Sequence, residues 1–249
     1  MIKALILRRL WLLRHRLAIT VPFVIIVPIC LHLFLSAVIK QIYTYSPNGI
    51  PMESWLFPGI VFSFASLSML TIIYRDLFSH QINSQFLKLL AISPNSKFMI
   101  ILSILLSSLI ECIIYSITAM VVLVFFLPES LSIGSYFIIL SYLILYLGLI
   151  GSMLISLSLI IQRVSIFLFS SIIVLQLLFV GSNLLFEHQI YSEVLNIIFF
   201  NNPFSMLLAD LRSLIFFDEF NYIWIAISAV IVICWLSFNA FLLKRKLKQ

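Results

Sequence analysis

The 249-residue chain is 63% hydrophobic and only 10% charged, with a mean hydropathy of +1.21. A soluble domain carries about a quarter charged residues, and a soluble fold of this size could not hide 23 Phe side chains without exposing sticky surface. The net charge of +6 does not point to nucleic acid, because the basic residues flank apolar runs instead of forming a patch interleaved with aromatics. Cys30, Cys112 and Cys234 all lie inside apolar runs with no C-x-x-C spacing, the pattern of small buried hydrophobes and not of a metal or thiol-redox site.

The composition predicts an all-α integral membrane protein, one transmembrane domain over 1–249 with no appended soluble domain. In chain order, residues 1–16 come first. Ile2, Leu5, Ile6, Leu10 and Leu13 recur at helical spacing, with Arg8, Arg9, Arg14 and Arg16 as a basic flank. That pattern predicts an amphipathic helix in the cytoplasmic interface, leucines dipping into the acyl boundary and cations near anionic headgroups. The run 17–39 is too long for a signal core and lacks a small-x-small cleavage site, so it reads as an uncleaved first span. Further spans are predicted at 55–74, 98–127, 135–161, 164–184 and 222–243.

Two connecting segments are more than loops. In 75–97, Phe78, Ile82, Phe86 and Leu89-Leu90 repeat at three-to-four spacing among polar residues, and the pattern breaks at Ser93-Pro94. A short amphipathic helix there must dock its apolar face on the membrane or on a partner. In 185–221, apolar Val194–Phe200 is interrupted by Asn201-Asn202-Pro203 and resumes over Phe204–Ala209, each piece too short to cross. Together they predict a re-entrant hairpin packed against the spans, because irregular backbone at membrane depth needs protein or a wet cavity around it.

Thirteen of the 15 basic residues fall on one side of this arrangement, leaving Lys40 and Arg212 opposite. The positive-inside rule then puts both termini in the cytoplasm, as an even number of spans requires.

Polar residues inside the spans are few. Ser103, Ser107, Glu111 and Tyr115 are four apart and make one stripe along the third span. Two readings stand for Glu111: it lines a translocation path or subunit contact, or it is a neutral, hydrogen-bonded structural group. Gly148, Ser152 and Ser156 form a small-residue face for close helix packing, and His32 and Trp235 read as packing or interface residues. No G-x-x-x-x-G-K-[ST] phosphate loop occurs, no H-E-x-x-H, and no Ser/His/Asp grouping, so the chain is not expected to be an enzyme by itself.

In order and content these elements resemble the type-2 ABC exporter permeases. Pro58-Gly59 at the second span is similar to that family's Pro-Gly, Leu89-Leu90 with Ser93-Pro94 to its Leu-Leu-x-x-Ser-Pro, and Asn202-Pro203 with Arg212 to its Asn-Pro…Arg before the last span. The chain departs from it at Lys88, where relatives often carry an acid, and at Ile101-Leu102-Ser103, where they often carry Gly-Lys. The resemblance implies a permease subunit that pairs with a second copy or a paralogue. It also implies a cytosolic ATP-binding subunit, engaged through a coupling helix near Ile82–Ala91 with Ile82, Gln85, Phe86, Lys88, Leu89 and Leu90 at the contact. No cofactor is expected in this chain; ATP and magnesium would sit in the partner. Two other functions fit the same residues: an ion- or proton-coupled carrier using Glu111, and a non-transporting membrane anchor.

Overall fold

The computed structural model describes residues 2–39, 45–46, 49–79, 96–128, 131–182, 184 and 193–246. Among them all regular structure is helical, apart from an isolated bridge between Tyr45 and Pro51. The helices are α1 (Ile2–His15), α2 (Leu17–Ile39), α3 (Met52–Tyr74), α4 (Lys97–Val124), α5 (Ile133–Ile160), α6 (Val164–Gly181), α7 (Glu193–Phe200), α8 (Pro203–Phe217) and α9 (Tyr222–Lys246). A π-helical turn, Arg75–Ser79, continues α3. Six of them, α2, α3, α4, α5, α6 and α9, are long and apolar enough to cross a membrane. The chain is therefore a multi-pass, all-helical membrane protein.

The helix starts follow local chemistry. Ser96 and Ser132 cap α4 and α5 by accepting from the Met99 and Ser135 amides at 3.3 and 3.2 Å. Asn202 caps α8 in the same way, and Pro203 occupies its first turn, where a missing N–H costs nothing. Pro22 and Pro28 lie inside α2. Prolines at such positions are tolerated in membrane helices because neighbouring groups satisfy the freed carbonyls.

The bundle is layered from inside out. Helix α3 is almost wholly enclosed and α4 and α5 mostly so, whereas α2, α6 and α9 turn most of their surface outward. Tyr146 on α5 fills the centre, its ring 4.7 Å from Phe62 and 5.5 Å from Phe204, its hydroxyl accepting from Ser66 at 3.2 Å. The small-residue face of α5 receives α9. A Cβ on Gly148 would stand 3.3 Å from Val232, so a larger residue would push the two helices apart. Asn239 on α9 then donates to the Ser152 carbonyl at 2.8 Å and accepts from Ser156 at 2.6 Å, while the Trp235 indole donates to Ser156 at 2.8 Å. Trp235 is thus a hydrogen-bonding residue as well as a packing one.

One expectation needs correction. Arg9 does not sit with the other cations of the N-terminal segment. It is buried against α4, because two carboxylates lie there to receive it. In the 185–221 segment, the helix after Asn202 takes in the apolar stretch Phe204–Ala209 and runs on to Phe217, with Asp210 and Arg212 both turned inward and supplied with partners.

Candidate functional site

Four charged side chains from three elements meet beside α4. Arg9 comes from α1, Arg75 and Asp76 from the π-helical turn that ends α3, and Glu111 from the middle of α4. Glu111 is only 3% exposed, so its charge needs compensation inside the protein. Arg75 supplies it through a fork, Nη1 donating to Oε1 at 2.9 Å and Nη2 to Oε2 at 2.6 Å. Arg9 Nη1 donates to Oε2 at 2.9 Å, and the Tyr115 hydroxyl donates to Oε1 at 2.7 Å. The other Arg9 nitrogen, Nη2, donates to Asp76 and to the Ser108 hydroxyl at 2.9 Å. Asp76 also accepts from Arg75 Nε at 3.3 Å. Two guanidiniums and two carboxylates make the cluster neutral as a whole.

Burial pulls the Arg9 guanidinium below its ordinary value, to about 10, with Glu111 opposing and Arg75 reinforcing the shift. It stays charged at neutral pH, which the two carboxylates require. Arg8 is lowered in the same direction, first by burial and then by the nearby Arg75 charge.

The stripe predicted along α4 exists as one buried face. Ser103, Ser107, Glu111 and Tyr115 are all enclosed by this chain's own helices. Tyr115 bonds Glu111, whereas Ser103 and Ser107 bond back to the Met99 and Ile104 carbonyls of their own helix. Leu5, Ile6 and Leu13 of α1 pack over the same stretch, beside Ile104, Ser107 and Ile114. Sequence reasoning missed Arg9, Arg75, Asp76 and Ser108 as members of this site. A signal for Arg9 was present: it continues the Ile2, Leu5–Ile6, Leu13 face by three-to-four spacing, an arginine on an apolar stripe.

The six residues expected at an ATPase contact, Ile82, Gln85, Phe86, Lys88, Leu89 and Leu90, lie outside the described residues. The segment that holds them begins directly after the turn carrying Arg75 and Asp76.

A second polar knot joins residues that the sequence scatters over more than 150 positions. The Asn202 amide donates to the Gly181 carbonyl at 3.3 Å, and the Ser205 hydroxyl donates to the same oxygen at 3.0 Å. Arg212, 1% exposed, donates to the Leu184 carbonyl at 3.0 Å and lies 4.8 Å over the Trp55 ring. Gly59 lies against the same carbonyl: a Cβ there would stand 1.9 Å from the Leu184 oxygen and 3.3 Å from Arg212 Nη2. Asp210, beside them, accepts from the Tyr142 hydroxyl and from the Asn221 amide at 2.9 Å, fixing the chain just before α9. Pro58-Gly59, Asn202-Pro203 and Arg212 thus belong to one structural unit around the end of α6.

Among the described residues no three His, Cys, Asp or Glu side chains group as metal ligands would. No protein-family model, curated protein or solved structure matches the chain.

Proposed function

We propose that this chain is the membrane-spanning permease subunit of an ATP-driven exporter of the type-2 ABC kind. It moves a hydrophobic or amphiphilic substrate, such as a drug, lipid or glycan, out across a bacterial-type cytoplasmic membrane. In this reading 1–16 lies at the cytoplasmic interface, both termini are cytoplasmic, and 185–221 is a re-entrant hairpin on the far side. A cytosolic ATP-binding subunit holds ATP and magnesium and pushes on the helix near Ile82–Ala91, and a second copy or paralogue completes the path.

The observation that carries the reading is the convergence of the Pro-Gly, Asn-Pro and Arg residues on the end of α6, between a helical hairpin and the core helix α3. Two short motifs meeting at one place are more informative than the same motifs counted along a chain. The charge cluster supports a mechanical role at the opposite end of α3. It ties α1, α4 and the start of the 75–97 segment together, so a push on that segment would reach α4 through Arg75 and Asp76. The partners of Glu111, two arginines and a tyrosine, support a structural anchor more than a titrating group of a proton-coupled carrier.

The test is purification of the tagged chain from its native membrane. An ATP-binding subunit should come with it, and ATP hydrolysis by the complex should rise with amphiphilic substrate. A chain that purifies without any ATPase and transports under a proton gradient would replace this reading with the carrier.

A further inference from the structure

The seam between α4 and α5 is covered along part of its length by α9. Val232 meets Gly148, and Asn239 reaches Ser152 and Ser156, so α9 runs parallel to α5, and it packs on α4 as well. Counted back along the two helices from the Gly148 contact, Tyr222, where α9 starts, stands level with Ile138. The opening turn of α5 therefore has no α9 beside it. At that end the seam opens into a groove of about 400 Å³, lined by α4 from Ile117 to Phe125 and by α5 from Ile133 to Leu140. Met120 and Tyr136 form its floor, and Val121, Phe125, Ile133 and Phe137 stand exposed around it. Tyr136 packs edge-on against Phe57 at 6.0 Å, inside the apolar run of α3, which places the groove at the depth of hydrocarbon.

We propose that this groove is a binding site for one acyl chain of a membrane lipid. Its chemistry selects that occupant. The lining carries no charge, and its one polar side chain, Tyr136, turns its hydroxyl to the Leu131 backbone. Water needs two or more polar partners to stay in a cavity, and finds none here. The volume is that of a small-ligand pocket, but a ligand with polar groups needs convergent polar side chains to orient it. A membrane helix docks closely where small residues let the backbones approach. Every lining residue here is valine or larger, so the exposed Phe125, Ile133 and Phe137 side chains would hold a helix off. A flexible chain of methylenes can thread between those side chains and supply the dispersion contacts that an unfilled groove would forfeit.

In the proposed orientation the acyl chain comes from the outer leaflet, but the site itself needs only the six spans and no ATPase. The native chain is reconstituted in phosphatidylcholine vesicles that contain a phosphatidylcholine with a diazirine partway along one acyl chain. After irradiation the labelled residues are mapped by mass spectrometry. A site is finite, unlike contact with the surrounding bilayer. Label at Ile117–Phe125 and Ile133–Leu140 should therefore saturate as the probe fraction rises, while label at Val230 and Ile233, outward on α9, should climb in proportion. Val121→Trp, which puts an indole into the groove, should cut groove labelling about tenfold and leave the α9 label unchanged. If that variant does not fold, saturation in the native chain decides alone. Groove label that climbs in proportion like that on α9 reports ordinary bilayer contact and overturns the site. So does groove label that survives Val121→Trp in a folded protein. A groove that stays unlabelled at every probe fraction is covered by protein, a second copy or another helix, and overturns it as well.

Discussion

Arg75 grips Glu111 with both terminal nitrogens, at 2.9 and 2.6 Å, and so locks the end of α3 to the middle of α4. Glu111 stands fourteen residues into α4, about 21 Å along its axis at 1.5 Å per residue. Cys112, the next residue, bonds the Ala65 carbonyl in the middle of α3, so the two helices run side by side over this length, and α1 covers part of it. The three elements are held where they cross by charge and not by apolar packing alone.

Removing one partner of such a cluster should cost more than the cluster itself contributes, because the remaining charges stay buried and unpaired. Glu111→Gln should lower stability in mixed micelles by about 3–5 kcal/mol. The double variant Glu111→Gln, Arg75→Gln should lose less than the sum of the two singles, since each change relieves the charge the other strands. Additive losses would mean that the two side chains do not act as a pair.

Arg9 is the only residue of α1 that is fully buried, while Leu7, Leu10 and Trp11 turn much of their surface outward. Arg9→Gln should therefore loosen α1 selectively. Amide exchange over residues 2–15 should speed up by at least tenfold while α3 and α5 keep their protection. Exchange that rises equally throughout the bundle would show a global effect and not a released helix.

The six spans were legible because each is an apolar run of eighteen residues or more, a signal that needs no tertiary context. The break at Asn201-Asn202-Pro203 was legible for an equally local reason, a cap followed by a proline. Arg9 was not, because an arginine beside other arginines reads as a basic flank until its position on the helical face is weighed. The continuation of α8 past Ala209 depended on partners in α3, α5 and the residues after α6, which no local pattern reveals. Asp76 escaped for the same reason: its value lies in Arg9, 67 positions away.

Gly59 offers a clean test of the knot around Leu184. Gly59→Ala drives a methyl group to 1.9 Å from a backbone oxygen, which must shift and carry the Arg212 contact with it. Thermal stability should fall by an amount equivalent to about 2 kcal/mol or more. Gly134→Ala is the control: its new methyl group meets nothing nearer than 3.7 Å, and stability should change by less than about 0.5 kcal/mol.

The orientation proposed from the asymmetric basic residues is checked by labelling. Cysteines placed at Ser130 and Ser192 should react with an impermeant reagent added outside, and one at Asn95 only after the membrane is opened. The reverse pattern would invert the topology and put the 75–97 segment out of reach of any cytosolic ATPase.

The coupling proposal rests on Phe86, the aromatic of the amphipathic pattern in 75–97. Aromatic side chains dominate contacts that carry force through a few buried anchors, and losing one costs about 2 kcal/mol or more. Phe86→Ala should weaken ATPase association about 30-fold, at ~1.4 kcal/mol per factor of ten. It should also uncouple transport from hydrolysis while insertion stays normal, because the residue lies outside every apolar run long enough to cross in the sequence. Lys88→Glu should matter less and should depend on salt, as charges at a rim do. The cluster adds a further expectation: an Asp76→Asn variant, which leaves Phe86 in place, should keep the ATPase bound yet transmit less of its closure, lowering transport per ATP hydrolysed. Full co-purification and full transport in Phe86→Ala would remove this segment as the coupling contact, and with it the main mechanical argument for an ATP-driven exporter.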